Sequence, residues 1–451
     1  MRQRQQSREA TVLEMMKAFA DSATVQLWGA RNVCLFIPCV AVSSMDGKKA
    51  SSAAAERLRA AGACELLSSA LFIHRRSAGV QEAALRAVAC LVSAGTHTSV
   101  RAHNWLTLRD AGIAEAIVAA MTTHGSNMSV QDAGIKAVIE LARATGHADA
   151  AVRLASAEGH QAPATTITIS PSRQCTQCIQ DQLTTCPVAC NARDTTIRQL
   201  LNAGASGAVV AALRLFTRLS RQPCQATAAL NTIIALADRG GAPQLGAAGA
   251  GEAVLAALQR YPRDASLSAA ALAAIRALAT PHNRARLRRA GTCTALVRSL
   301  HSRETLLDRE RLAQCSSSLQ AVQMLARGGG RSLADAATLA RLARAGACEA
   351  VPDVLHAAVR YNEHCYVAAR MAADALSVIH LLSADAGLAA RLSRADAHGA
   401  VASAMRAYCG DAEVQRLGQV AKRGLDRAAA RRCHSRQLQR EAAMSHHLRQ
   451  D

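Results

Sequence analysis

The sequence predicts an all-α protein built from repeated helical units, and three observations support this. The chain of 451 residues is 50% hydrophobic but only 2% aromatic, and its wealth of Ala and Leu favours helices over strands. Two motifs recur in phase along it. Neither helix in AEAIVAAMTTHGSNMSVQDAGIKAVIELA (114–142) is long enough to be stable alone, so each needs equivalent helices of neighbouring repeats as partners.

The first motif is a glycine junction between a short helix and a longer one, as in LRDAGIAEA before the helix at 114. It recurs at intervals of 42 to 55 residues, a period close to that of helical-repeat proteins. Glu158 and Asp396 take the glycine position in two of the copies. The junction glycines are Gly62, Gly112, Gly204, Gly249, Gly291 and Gly346.

The second motif follows each junction and has the form VQEAALRAVACL (80–91) or VQDAGIKAVIEL (130–141). Its apolar residues recur every three or four positions, which indicates one buried face of a helix. The fifth position is small and is glycine at Gly29, Gly134 and Gly418. Because glycine weakens a helix interior by about 1 kcal/mol, its recurrence predicts close contact with another helix.

Over residues 11 to 430, these motifs make the chain resemble the armadillo-repeat family. The resemblance rests on the AGA-x-E-hydrophobic junction, the AIVAAM-type helix and the VQ-x-x-G-x-x-A pattern. It implies a right-handed α-solenoid of about nine repeats, each with a short helix, a turn at the glycine and two longer antiparallel helices. The third helices would line a groove. A two-helix HEAT array is the alternative, but the short LRRAG and LARAG segments favour three helices.

The predicted organisation has an interruption within the array. Three prolines between residues 161 and 194 oppose a continuous helix, so this stretch is interpreted as an inserted loop, a degenerate repeat or a gene-model error. The predicted boundaries are a basic tail at 1–10, repeats at 11–158, the irregular segment at 159–194, repeats to a C-terminal cap at 195–430, and a basic, His-containing tail at 431–451.

Motifs for catalysis or cofactor binding are not found, so a non-enzymatic protein without a cofactor is expected. The weak candidate for a metal site is a cysteine quartet spaced C-x2-C-x7-C-x3-C, formed by Cys175, Cys178, Cys186 and Cys190. Four thiolates can hold zinc, but the second pair is unusually close and encloses Pro187. Reduced cysteines in an irregular loop are the favoured interpretation.

A candidate partner site comes from the seventh position of the second motif. It holds Arg31, Arg86 and Lys136 in three successive copies of the N-terminal part, and no charge in the later copies. If this position faces the groove, it would attract protein partners with acidic extended segments. The competing interpretation is three solvated charges.

The formal net charge of +20 leaves nucleic acid as an alternative partner. Arginines concentrate in the short first helices, where they would form an Arg-rich edge. Phosphate contact needs such clusters, but the rare aromatics supply few stacking platforms, so weak nonspecific binding is the expectation. The longest apolar runs are too short to span a membrane and no secretory signal is visible. The sequence therefore predicts an intracellular protein, cytoplasmic rather than nuclear.

Overall fold

Helices account for all regular structure in the part of the chain that the structure describes. The structure, a computed structural model, describes residues 2–37, 45–94, 104, 106–144, 197–262, 264–300, 309–327, 335–361 and 366–447. No strand occurs in these ranges. The chain divides into two compact units, here called the N-lobe (Met1–Ala248) and the C-lobe (Gly249–Asp451). The predicted all-α class is confirmed.

The N-lobe contains ten helices in the described residues. Helical turns at 106–110 and 197–202 precede two of its glycine junctions. A kink within Ala237–Gly241, where Arg239 and Gly240 have non-helical backbone angles, joins its last two helices. The helices are α1 (Arg2–Ala18), α2 (Ala23–Phe36), α3 (Met45–Ala60), α4 (Ala63–Ile73), α5 (Ala78–Ser93), α6 (Ile113–Thr123), α7 (Met128–Ala144), α8 (Ala205–Leu219), α9 (Pro223–Leu236) and α10 (Ala242–Ala247).

The C-lobe continues the same pattern of helices. In its described part, a short helix precedes a glycine or aspartate junction in the later repeats, and two longer helices follow each junction. The helices are α11 (Ala250–Arg260), α12 (Ala265–Leu278), α13 (Arg284–Arg289), α14 (Thr292–Leu300), α15 (Arg309–Ala326), α16 (Ala336–Arg344), α17 (Ala347–Arg360), α18 (Tyr366–Leu382), α19 (Ala386–Arg394), α20 (Ala397–Ala407) and α21 (Ala412–His447).

Each lobe stacks its repeats in two ladders of helices. In the N-lobe, α1, α4, α6 and α8 each contact the next, and so do α2, α5, α7 and α9. In the C-lobe, α11, α14, α17 and α20 form one ladder and α12, α15, α18 and α21 form the other. This is the nearest-neighbour stacking of a helical solenoid. The α6–α7 repeat contacts the α8–α9 repeat directly; the predicted junction at Glu158 and the segment 159–194 lie outside the described residues.

The turn at each junction is left-handed. The six junction glycines have φ between 73° and 95°, a region that glycine enters at little cost because it has no Cβ. Asp396 has φ 56° and is the one non-glycine with positive φ in the described residues. Aspartate tolerates this conformation better than most residues, and its carboxylate also accepts a hydrogen bond from the backbone N–H of Gly399 at 3.3 Å.

Four glutamines in the second motif join the third helix to the end of the second helix of the same repeat, each by the same hydrogen-bond pattern. The Nε2 of Gln81 donates to the carbonyls of Leu71 and His74, both at 3.0 Å. These carbonyls end the second helix and have no partner within it. The same pattern, to the tenth and seventh preceding carbonyls, is formed by Gln26, Gln131 and Gln415. We call this arrangement the glutamine clamp.

The glycines at the fifth position of the motif mark close contacts between helices, each with a methionine thirteen residues earlier. A Cβ placed on Gly134 would lie 2.5 Å from Cγ of Met121. The same holds for Gly29 with Met16, at 2.3 Å, and for Gly418 with Met405, at 2.5 Å. The third helix therefore packs on the second helix of its own repeat with no room for a methyl group.

The residue that ends the second helix also contacts the preceding repeat. The imidazole Nε2 of His74 lies 2.8 Å from the carbonyl oxygen of Ala20, and that of His124 lies 2.8 Å from the carbonyl oxygen of Arg75. In the C-lobe, the Tyr408 hydroxyl donates to the carbonyl of Ala358 at 2.7 Å. These contacts fix one repeat on the next. Among the described helices, none combines the length and apolarity that crossing a bilayer requires.

Candidate protein-binding site

The three basic residues of the predicted site lie on successive third helices of the N-lobe. Arg31 is on α2, Arg86 on α5 and Lys136 on α7, and these helices contact one another in that order. All three side chains are on the solvent-exposed side of their helices. We call the exposed side of these helices the third-helix face.

A cleft of about 390 Å³ separates α2 from α5 on this face. Arg31 and Arg86 both line it, so the structure brings these two predicted residues together. Lys136 is not among the lining residues. The remaining lining residues are Cys34, Leu35, Gly79, Glu82 and Ala83.

Acidic neighbours compensate two of the three charges. Arg86 pairs with Glu82 at 2.9 Å, and Lys136 pairs with Asp132 at 2.7 Å. Each acid lies four residues before its base, which places it on the same side of the helix. Sequence reasoning missed these pairs, although the i,i+4 spacing was visible in both motifs.

Arg31 differs because the corresponding residue of α2 is Leu27. Within the described residues, no carboxylate lies at ion-pair distance from its guanidinium. Two apolar side chains flank it on the same helix: Trp28 is 44% exposed and Leu35 is 77% exposed. A cation between exposed apolar groups has the composition of a protein-binding surface, where aromatic residues and Arg are enriched.

In the C-lobe, polar side chains on the corresponding side of the third helices form hydrogen bonds with one another. Asp374 on α18 accepts from the Ser316 hydroxyl at 2.6 Å and from Nε2 of Gln320 at 3.0 Å, both on α15. Arg276 on α12 donates to the Gln320 side chain at 2.7 Å. Burial raises the pKa of the Asp374 carboxyl, against the lowering effect of these hydrogen bonds and of Arg370. The hydrogen bonds from Arg276 to Gln320 and from Gln320 to Asp374 thus link three successive third helices.

Three arginines of the predicted edge form ion pairs with carboxylates of other repeats. Arg57 pairs with Glu9 of the preceding repeat at 2.7 Å, and Arg391 pairs with Glu349 at 2.8 Å. Arg288 forms an ion pair with Asp335 at the start of the next repeat. The arginines that define this edge in the sequence are Arg57, Arg59, Arg109, Arg198, Arg284, Arg286, Arg288, Arg289, Arg341, Arg344, Arg391 and Arg394.

The described cysteines and acidic side chains form no evident chemical centre. None of the described cysteines is in a disulfide, and no group of three metal-ligating side chains occurs in the described ranges. The quartet Cys175, Cys178, Cys186 and Cys190 lies outside them. Burial raises the pKa of the Cys64 thiol to about 12 and that of Cys348 to about 11, so neither is a ready nucleophile at neutral pH.

Comparison with known proteins returns solved structures only. No family model matches the chain, and no curated protein sequence matches it. An engineered protein is 18% identical over 71% of this chain and 99% of its own, with a TM-score of 0.45. A designed armadillo repeat protein in complex with the peptide (KR)4 is 17% identical over 55% and 98%, with a TM-score of 0.41. A second designed armadillo repeat protein is 18% identical over 55% and 98%, with a TM-score of 0.40.

Proposed function

We propose that this chain is a non-enzymatic, intracellular scaffold that binds protein partners along the third-helix face of its N-lobe. The observation that supports this most directly is Arg31, which forms no ion pair within the described residues and lies between the exposed Trp28 and Leu35 on α2. The partner would be an extended segment that places a carboxylate near Arg31 and an apolar side chain beside Leu35. The armadillo-type resemblance supports such binding by analogy alone, since a fold by itself does not determine a function.

The basic residues of the site have unequal roles in this proposal. Arg31 would supply most of the attraction for an acidic segment, because Glu82 and Asp132 already offset the charges of Arg86 and Lys136. Arg86 would still contribute, since it lines the same cleft and could exchange Glu82 for a carboxylate of the partner. An exposed ion pair of this kind contributes about 0.2–1 kcal/mol, so apolar contacts must supply the remainder of the affinity.

The predicted Arg-rich edge is less suited to nucleic acid than the sequence indicates. Three of its arginines, on α3, α13 and α19, are engaged with carboxylates of other repeats. An arginine held in this way would have to give up its ion pair before it could neutralise a phosphate. A protein-binding role therefore has better support for the N-lobe than nucleic-acid binding through this edge.

A selection from a displayed library of unstructured peptides tests the proposal. We expect the full chain to enrich peptides that carry Asp or Glu within a few residues of a large apolar residue. In calorimetry, the triple substitution Arg31→Glu, Arg86→Glu and Lys136→Glu should raise the Kd of such a peptide roughly tenfold. Arg31→Glu alone should account for the larger part of that change.

A matched variant separates this site from overall charge. Arg76, Arg218 and Arg221 are exposed arginines in turns or second helices of the N-lobe, and their triple change to Glu alters the net charge by the same amount. This control should leave the Kd within about twofold. Equal losses in the two variants, or enrichment of peptides without acidic residues, would contradict the proposed site.

A further inference from the structure

The last helix, α21, carries a large excess of positive charge. Its 36 residues, AEVQRLGQVAKRGLDRAAARRCHSRQLQREAAMSHH, include eight Lys or Arg residues but only three Asp or Glu residues. The first part of this helix packs on α18, α19 and α20, and Ala428 is the last residue that the structure describes as buried on it. The helix is therefore anchored to the final repeat along its N-terminal half.

Four arginines share one side of α21. Arg416, Arg423, Arg427 and Arg431 follow at steps of seven, four and four residues, which places them within an arc of about 80° at 100° per residue. All four are exposed. The residues that α21 buries against the repeat lie on the other side of the helix: Val414, Ala421, Leu425 and Ala428. We call the four arginines the α21 stripe.

The guanidinium groups of the α21 stripe have no acidic partner in the described part of the chain. The one carboxylate of the helix that forms a described ion pair is Asp426, which lies 3.4 Å from His398. The one side-chain hydrogen bond described for the stripe joins Arg423 to the backbone carbonyl of Gln419. This differs from Arg57, Arg288 and Arg391, each of which holds a carboxylate. Within the described residues, the charge of the stripe is thus not used in ion pairs.

We propose that the α21 stripe binds the phosphate backbone of a nucleic-acid duplex. The stripe rises about 22 Å along the helix, at 1.5 Å per residue. A duplex carries one negative charge per ~1.7 Å of its axis, so on the order of a dozen phosphates lie alongside a stripe of this length. Guanidinium groups bind phosphate oxygens through two parallel hydrogen bonds. A duplex lying along the stripe therefore offers more than enough phosphates for each of the four guanidinium groups to contact one.

Two other anionic partners fit this surface less well. A protein interface has an apolar core, and an amphipathic helix that binds a membrane inserts apolar side chains. Among the described residues on this side of α21, the apolar one is Val420, which is only partly exposed. With no aromatic side chain on the stripe, the surface also lacks a platform for unstacked bases. The binding mode that fits this surface best is contact with the sugar–phosphate backbone of a duplex, which carries no base specificity.

Fluorescence anisotropy with labelled 20-base-pair DNA and RNA duplexes tests this proposal on the full chain. The logarithm of the binding constant should fall linearly with the logarithm of the salt concentration, with a slope of about −0.9 for each phosphate contact. Substitution of the four stripe arginines by Gln should reduce the slope by about 3 to 4 and weaken binding at 50 mM salt at least 100-fold. Substitution by Lys, which retains the charge, should leave the slope nearly unchanged.

The control removes four other exposed arginines of the C-lobe: Arg260, Arg289, Arg344 and Arg406, which lie on four different helices. Their change to Gln should alter the slope by less than one. Equal effects of the two sets would mean that binding follows net charge and would overturn the proposal. So would tighter binding of polyglutamate or of phosphatidylserine vesicles than of either duplex, since these results would assign the stripe to an acidic protein or to a membrane.

A measurement on the unaltered chain keeps the test decisive if a variant does not fold. Photo-crosslinking to a duplex with modified backbone groups, followed by mass spectrometry, should place cross-links within residues 412–434. Cross-links confined to other segments would overturn the proposal. Substitutions at Arg31, Arg86 and Lys136 should not alter duplex binding, so the result is independent of the proposed scaffold function.

Discussion

At the scale of single residues, small side chains set the distance between the helices of a repeat. Glycine at the fifth position of the second motif lets the third helix rest on a methionine of the second helix, as Gly134 does on Met121. The repeat with Ala84 at this position has Leu71 where the others have methionine, again thirteen residues earlier. Glycine and methionine therefore form one matched pair, and alanine and leucine form another.

Gly134→Ala should destabilise the fold by about 1–3 kcal/mol, because the added methyl group overlaps Cγ of Met121 in a well-packed core. The double variant with Met121→Leu reproduces the pair of the neighbouring repeat and should regain part of this loss. Urea denaturation of the wild type, both single variants and the double variant gives the coupling energy. If the two effects were simply additive, the matched-pair explanation would be wrong.

Several of these residue-level features could be predicted from the sequence, and one could not. The recurrence of Gly29, Gly134 and Gly418 at one position was enough to predict a close helix contact. The role of the glutamine in the VQ pair was not predicted, although it stands at the same position in four copies. Its partners are carbonyls on another helix, so the pattern acquires meaning only once the antiparallel arrangement of the two helices is known.

At the scale of helices, the two lobes use the third-helix face differently. In the described part of the N-lobe, no carboxylate pairs with Arg31, whereas the C-lobe links α12, α15 and α18 through Arg276, Gln320 and Asp374. The N-lobe pairs could have been read from the i,i+4 spacing. The C-lobe network could not, because Gln320 and Asp374 occupy different positions of the second motif and meet only when the helices are stacked.

Asp374→Ala should destabilise the C-lobe by about 1–3 kcal/mol, because Ser316 and Gln320 lose a shared acceptor in a partly buried site. Asp374→Asn keeps an acceptor oxygen and removes the charge. The folded-state pKa of Asp374 is raised, chiefly by burial, so ionisation opposes folding and the wild type loses stability as the pH rises through that pKa. Relative to the wild type, the Asn variant should therefore gain stability over this range.

Denaturation midpoints at pH 4 and pH 7 check this expectation. The midpoint of the Asn variant relative to that of the wild type should be higher at pH 7 than at pH 4. The midpoint of the Ala variant should be lower than that of the wild type at both pH values. A variant with Asn that loses stability relative to the wild type as the pH rises would show that hydrogen bonding to the carboxylate outweighs its burial.

At the scale of the whole molecule, the fold follows from repetition and the charge is far from balanced. The stacked helical repeats could be predicted because two motifs recur in phase, and each recurrence reinforces the others. The charge balance of the candidate protein-binding site could not be predicted in this way, because it depends on which carboxylates lie near each basic side chain in the folded protein. The chain has 53 Lys or Arg residues against 33 Asp or Glu residues, so repulsion among like charges opposes the folded state.

Raising the salt concentration from 50 mM to 300 mM should therefore increase the melting temperature. Salt screens the repulsion of the excess positive charge over distances beyond ~10 Å. It also weakens exposed ion pairs, but each of these contributes only about 0–1 kcal/mol. Calorimetric scans in sodium chloride check the prediction, with sucrose at equal osmolality as the uncharged control. A fall in melting temperature with salt would show that the ion pairs between repeats dominate.

The glutamine clamp has a consequence for how such a chain can change its length. The clamp of Gln81 begins and ends inside one repeat, at Leu71 and His74, and the clamps of Gln131 and Gln415 do the same. No hydrogen bond of the clamp is shared with a neighbour. A segment cut at two junction glycines therefore carries its own internal closure with it. Such segments are exchangeable modules, which a gene could duplicate, delete or reorder without rebuilding the turn between the two long helices.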